Sequence, residues 1–162
     1  MKTLMVRIMS YEIEVKEIKS QPIASISAET TIKKIPRKLP KFFKTIMKYL
    51  NKNEIQPIGP PVAIYRNFSE TKGQVEVGFP IREQIPPKGN IKNSQCPSGK
   101  VAFLLYTGGY DKISFAYDAI QDWIKKNNFD YTNIWWEAYL TDPHQEPDQN
   151  KWKTEIYLLL DP

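Results

Sequence analysis

Apolar and polar positions repeat with a period of two in some stretches and near 3.6 in others, and the switch between the two divides the chain into strands and helices. Residues 11–20 alternate, with Tyr11, Ile13 and Val15 on one side and Glu12, Glu14 and Lys16 on the other. This predicts a strand that continues past Gln21-Pro22 through residues 23–30, with the proline marking an edge or a bend. Residues 1–10 give no clear signal and read as a leader strand or a frayed end. From about residues 37–40 the period lengthens. Leu39, Phe42, Phe43, Ile46, Met47 and Leu50 recur at three- and four-residue steps, which is the single apolar stripe of a helix. Gly59-Pro60-Pro61 then precedes two strands, 62–68 and 74–81, which form a hairpin across turn-type residues. Residues 82–98, rich in Pro, Gly, Asn and Lys, predict a loop with no structure of its own.

The same order then recurs. Residues 99–107 are a strongly apolar strand, and Gly108-Gly109-Tyr110-Asp111 turns it into a second helix with Asp111 as N-cap. Phe115, Ala116, Ala119, Ile120, Trp123 and Ile124 form that helix's core face. A strand over 133–140, a polar loop over 144–151 and a last strand over 153–160 complete the chain. Strand, helix, strand, strand, repeated, predicts an α+β fold with two main helices on antiparallel sheets, related by a pseudo-twofold axis. The expected organisation is one domain over 1–162, with halves at about 11–82 and 99–161 joined by loop 83–98, and a ligand cleft between the halves.

Charge sharpens this picture. The net charge of +5 is local: eight basic residues and no acid lie between Lys33 and Lys52, and the remainder carries fifteen basic against eighteen acidic residues. Arg37, Lys41, Lys44, Lys48 and Lys52 share the helix face opposite the apolar stripe. An acidic protein partner could meet Lys41, Lys44 and Lys48. Nucleic acid is not expected, because no exposed aromatics interleave with the cations and no nucleic-acid module is legible. The single cysteine, Cys96, excludes an internal disulfide. Arg7 interrupts the only short apolar stretch near the start, and no apolar run reaches the length of a membrane span, so a cytoplasmic, membrane-free protein is expected. No cofactor and no metal are expected: the one histidine, His144, sits in a polar loop.

The densest chemistry lies in residues 133–143. As a strand, it points Trp135, Glu137 and Tyr139 one way and Ile134, Trp136, Ala138 and Leu140 the other, the second set being a plausible core face. An acid between two rings has two readings. It can form a pocket for a flat or cationic molecule, since each ring attracts a cation by about 0.5–2 kcal/mol and the carboxylate adds a charge-assisted contact. It can equally be the wet face of an antiparallel strand.

Several short segments resemble the GyrI-like small-molecule-binding domain, the effector-binding half of multidrug-responsive transcription activators and of the DNA gyrase inhibitor protein. They are Ile58-Gly59-Pro60-Pro61 leading to Tyr65, the run Val75–Ile81, Tyr106-Thr107-Gly108-Gly109-Tyr110, the helix from Phe115 to Ile124 with Tyr117 and Trp123, Glu137–Pro143, and Thr154-Glu155-Ile156-Tyr157. The resemblance runs from Tyr11 to Asp161 and implies a tandem-repeat domain whose cleft takes up hydrophobic, often cationic aromatic compounds. It puts the family's key acid on Glu137 and the pocket aromatics on Tyr65, Phe79, Tyr110, Trp136 and Tyr139. Alternation instead puts Trp135 beside Glu137, so both tryptophans stand as candidates, and a β-bulge would reconcile them. Tyr106 occupies a position where many members carry histidine, and it joins the candidate ligand contacts with Tyr157, which could approach the cleft from the last strand.

Three functions follow from the resemblance: a stand-alone binder that senses or sequesters such molecules, a hydrolase of strained electrophilic rings of the cyclopropane type, and a gyrase-inhibitor-like interaction through the basic helix. An enzyme here has no material for a Ser-His-Asp or Cys-His relay. It would use Glu137 to orient or deprotonate water while Tyr65, Tyr110 or Tyr139 donates to the leaving oxygen, with Glu137 and Tyr110 the catalytic candidates.

Overall fold

The computed structural model describes residues 11–162, so the reading of residues 1–10, the Arg7 interruption included, lies outside the described residues. Eight strands form one antiparallel sheet: β1 (Ile13–Ile18), β2 (Pro22–Thr31), β3 (Val62–Arg66), β4 (Lys72–Pro80), β5 (Lys92–Gln95), β6 (Gly99–Thr107), β7 (Tyr131–Tyr139) and β8 (Lys153–Leu160). Helix α1 spans Ile35–Lys52 and α2 spans Ile113–Lys126. The strand order β1-β6-β8-β7-β3-β4-β2-β5 reads as two equivalent halves that meet at β7 and β3. The fold is the expected α+β arrangement of two helices on antiparallel strands.

Residues 11–30 do not form one bent strand. β1 pairs with β6 of the second half and β2 pairs with β4, with only Lys19, Ser20 and Gln21 between them. Reciprocally, β5 emerges from the expected structureless loop to pair with β2. Each half thus lends its first strand to the other. The three-residue link from β1 to β2 reaches at most about 14 Å, whereas six flat strand spacings measure about 29 Å. The sheet therefore curls, bringing its two ends together.

Curling gives the sheet two different interiors. On the outer face, Ile46, Tyr49 and Leu50 of α1 pack on Ala24, Ile26, Ala63, Tyr65, Val75, Val77 and Phe79. Ala116, Ile120 and Ile124 of α2 pack on Ala102, Leu104, Tyr106, Ile156 and Leu158. On the inner face, Ile23, Val62, Ile64, Cys96, Val101, Phe103, Trp136 and Ala138 form a third cluster that joins the two ends of the sheet. At Gly78 an added Cβ would stand 2.7 Å from the Ala24 carbonyl, so the glycine lets β2 and β4 lie this close.

Several local expectations change. α1 begins at Ile35, with a proline in its first turn and Pro40 inside it. A 3-10 turn, Tyr110–Lys112, precedes α2, and no side chain caps either element, so Asp111 is not the N-cap. Phe115 is 57% exposed and Leu140 45%, so neither joins the core face expected of it. β7 starts at Tyr131, and its register on β8 shifts between Tyr131 and Trp135, where Asn133 adopts φ +64°.

Candidate functional site

The two halves meet where β3 pairs with β7, Ala63 opposite Glu137 and Tyr65 opposite Trp135. From Trp135 onward β7 keeps a regular register on β8, so period-two alternation holds: Trp135, Glu137 and Tyr139 face the helices, and Trp136 faces inward. The bulge lies on the N-terminal side of both tryptophans and does not bring Trp136 round. Trp136 stacks instead on Tyr157, ring centroids 5.1 Å apart and planes within 10°. These two leave the candidate set around Glu137, since they lie through the sheet from it.

Glu137 is buried, 9% exposed. The Tyr117 hydroxyl of α2 donates to its Oε2, and the Tyr139 hydroxyl donates to Oε1 at 2.6 Å. The Tyr139 phenol also meets that of Tyr65. Tyr65 stacks on Trp135 at 5.2 Å. Phe43 of α1 stands edge-on to both Tyr139, at 6.1 Å, and Phe79, at 5.6 Å. Tyr110, 41% exposed, stands edge-on to Tyr139 at 6.0 Å and rests near Trp152. The expected cleft is therefore closed: these rings pack on one another around Glu137 between α1 and α2, with Tyr110 at the rim. A surface hollow of about 400 Å³, lined by residues such as Ile55, Ile58, Arg82 and Pro86, lies away from Glu137.

Burial sets the electrostatics. It raises the Glu137 carboxyl above its ordinary range, against the lowering effect of the Tyr117 and Tyr139 hydrogen bonds. Burial, then the charge of Glu137, raises Tyr65, Tyr110, Tyr117 and Tyr139 as well, so all four phenols stay protonated donors near neutrality. No group of three or more His, Cys, Asp or Glu side chains suited to a metal ion occurs among the described residues.

Of the expected contacts, Tyr139 touches Glu137, Tyr65 and Tyr110 reach it through Tyr139, and Trp135 and Phe79 through one ring more. Tyr106 does not reach it. It is buried under α2 and donates to the Gly109 carbonyl at 2.7 Å, which holds the turn before α2. Sequence reasoning missed Tyr117 as a contact of Glu137, although it quoted the residue. The available signal was a phenol one turn from Ile113 and Ile120, on a helix face bound to meet the sheet. Phe43 was read only as core. Thr154 lies opposite Tyr139 on β8, and its buried hydroxyl has no hydrogen-bond partner among the described residues.

The GyrI-like small molecule binding domain model matches residues 11–161. The chain belongs to the GyrI-like family. No curated protein matches it significantly. Among solved structures it resembles EcmrR in a cryo-EM complex with DNA (TM-score 0.79, 22% identity), covering 96% of this chain but 59% of that one. The crystal structure of the EcmrR C-terminal domain alone gives a TM-score of 0.73 at 20% identity, with 93% and 98% of the two chains covered. SAV2435 bound to tetraphenylphosphonium matches with a TM-score of 0.64 at 10% identity, covering 93% of this chain and 94% of that one. A hydrolase encoded by lin2189 of Listeria innocua matches at 0.61 and 10% identity, covering 93% and 92%. At these identities the structural likeness concerns the fold. The GyrI-like domain is a small-molecule-binding domain, and in the described part of this chain no helix is long and apolar enough to cross a membrane.

Proposed function

We propose that this GyrI-like domain binds hydrophobic aromatic cations in the chamber around Glu137, to sense or sequester them. The observation that carries the reading is a buried carboxylate with no ion-pair partner among the described residues, surrounded by Tyr65, Tyr117, Trp135 and Tyr139. Ring faces and a desolvated acid attract the same ligand, a flat cation. The tetraphenylphosphonium complex of SAV2435 supports that ligand class by likeness of fold. Both Glu137 oxygens are taken by phenols, so binding requires Tyr117 and Tyr139 to swing aside. Tyr110, at the rim, is the first ring a ligand meets. The test is quenching of tryptophan fluorescence by cationic and neutral aromatic compounds. Glu137→Gln weakens the cations far more than the neutral analogues; equal loss for both would defeat the charge argument.

A hydrolytic reading shares the chamber. A carboxyl raised by burial, beside phenols that remain donors, suits attack of water on an electrophilic cyclopropane, with Glu137 taking the proton of water and Tyr110 or Tyr139 donating to the leaving group. Burial pushes the Cys96 thiol up to about 12, and Cys96 belongs to the inner cluster, so it takes no part. Product formation seen by mass spectrometry, and its abolition in Glu137→Gln, tests this reading. For the basic face of α1 the supporting observation is that none of its cations forms an ion pair among the described residues. Salt-sensitive association with an acidic protein, lost on reversing Lys41, Lys44 and Lys48, is the corresponding test.

A further inference from the structure

Among the described residues Glu137 has no counter-charge on any side. From α2 it meets Tyr117, from its own strand Tyr139, from β3 Tyr65 through Tyr139, and from the turn before α2 Tyr110. β8 pairs Ile156 with it and adds only the uncharged hydroxyl of Thr154. α1 contributes Phe43 against Tyr139, while Arg37, Lys41, Lys44, Lys48 and Lys52 are exposed on its far side. The nearby Asp142 acts on Tyr110 at the rim. Among the described residues every titratable group facing Glu137 is therefore a phenol, neutral in the physiological range.

An isolated anion this deep costs several kcal/mol even after relaxation, roughly the penalty that a paired ion recovers from its partner. Two phenol donors return part of that cost and no more. A neutral carboxyl needs no rearrangement of the heavy atoms. It accepts from Tyr117 on Oε2, and the proton on Oε1 is donated to the Tyr139 oxygen, whose own proton turns toward Tyr65.

We propose that the chamber works as an ion exchanger: closed, it holds Glu137 as the neutral acid, and each monovalent aromatic cation that binds sends one proton to solvent. This rests on the aromatic-cation reading given above. The O–H bond of the carboxyl breaks, the proton passes to water or buffer, and the cation takes its place, so the buried site is electrically neutral before and after. Affinity for a monocation strengthens about tenfold per pH unit until Glu137 ionises by itself, and levels off above that point. A dication of similar shape is disfavoured, since one carboxyl has one proton to give. Neutral analogues bind without pH dependence.

Titration calorimetry with tetraphenylphosphonium in buffers of different ionisation enthalpy counts the protons. The expected result is about one released per cation, with Kd falling about tenfold per pH unit on the acidic side, both effects vanishing in Glu137→Gln. Infrared spectra of the wild-type protein provide a check that needs no variant: a carboxylic-acid carbonyl band that disappears as tetraphenylphosphonium is added. Cation binding with no proton release and constant affinity between about pH 5.5 and 8.5 would show that Glu137 keeps one protonation state through binding and overturn the exchange, leaving the cation site standing. Absence of cation binding at every pH would sink the aromatic-cation reading, and the exchange with it.

Discussion

Two carboxylates are buried in this sheet, Glu76 on β4 and Glu137 on β7, and they are answered in opposite ways. Glu76 faces inward, takes Arg66 Nη1 at 2.9 Å and accepts the Ser25 hydroxyl at 2.6 Å. Burial raises its carboxyl, but the hydrogen bonds from Ser25, Ser94 and Arg66, with the Arg66 charge, bring it below the ordinary range. Glu137 faces the helices, has phenols alone among the described residues, and ends above that range. Two buried acids thus end as an ion pair on one face and, among the described residues, an acid without a cation on the other. A carboxylate that already has its guanidinium holds the sheet; one that lacks a cation is left to attract it from outside.

Breaking this contrast gives graded outcomes. The largest is Arg66→Met, which strands Glu76: unfolding in urea should show a loss of about 3 kcal/mol, lessened by the partial exposure of the arginine. Next, Glu137→Gln should reduce affinity for tetraphenylphosphonium by about tenfold to a hundredfold, while moving folding stability by less than about 1 kcal/mol. Removing one hydroxyl by Tyr117→Phe should keep the ring and the fold and delete one donor, raising the Glu137 carboxyl further. In the proton count by calorimetry, this extends release to higher pH.

Stability against pH separates the two acids by sign. Glu76 is depressed, so its contribution is present above the ordinary carboxylate range and is lost as pH falls through its lowered value. Glu137 is raised, so the folded chain holds a proton that the unfolded chain releases. Its contribution is full below the ordinary range and declines as pH rises through the raised value. Thermal unfolding across pH should therefore lose its acid-side slope in Glu76→Gln and its rising-pH slope in Glu137→Gln. The smallest effect is Thr154→Val, which removes a buried hydroxyl without a partner at nearly constant shape and should stabilise the protein by about 1 kcal/mol.

What the sequence made legible was short-range. Period-two alternation placed Trp135, Glu137 and Tyr139 on one face because three consecutive odd positions of one strand need no knowledge of the rest. Family resemblance pointed to Glu137 and also to Trp136, whose side chain lies through the sheet from that acid, on Tyr157. The missing pieces were long-range. β5 is only Lys92-Asn93-Ser94-Gln95, a polar run without alternation that becomes a strand because β2 offers an edge. The acid in Gln74-Val75-Glu76-Val77 reads as a solvent-facing position, and only the curl of the sheet buries it. Tyr117 reaches Glu137 across 20 residues of sequence, a pairing set by how α2 lies on β7 rather than by any local pattern.

The reciprocal loan of β1 and β5 has a practical corollary. A backbone nick between Pro87 and Asn90 would leave each fragment holding a strand that has no mate of its own, β1 in the first and β5 in the second. Such pieces should recover their shape only by complementing one another. Phe43 and Tyr65 would arrive with one piece and Tyr117 and Glu137 with the other, so uptake of a dye would report directly on reunion of the split protein.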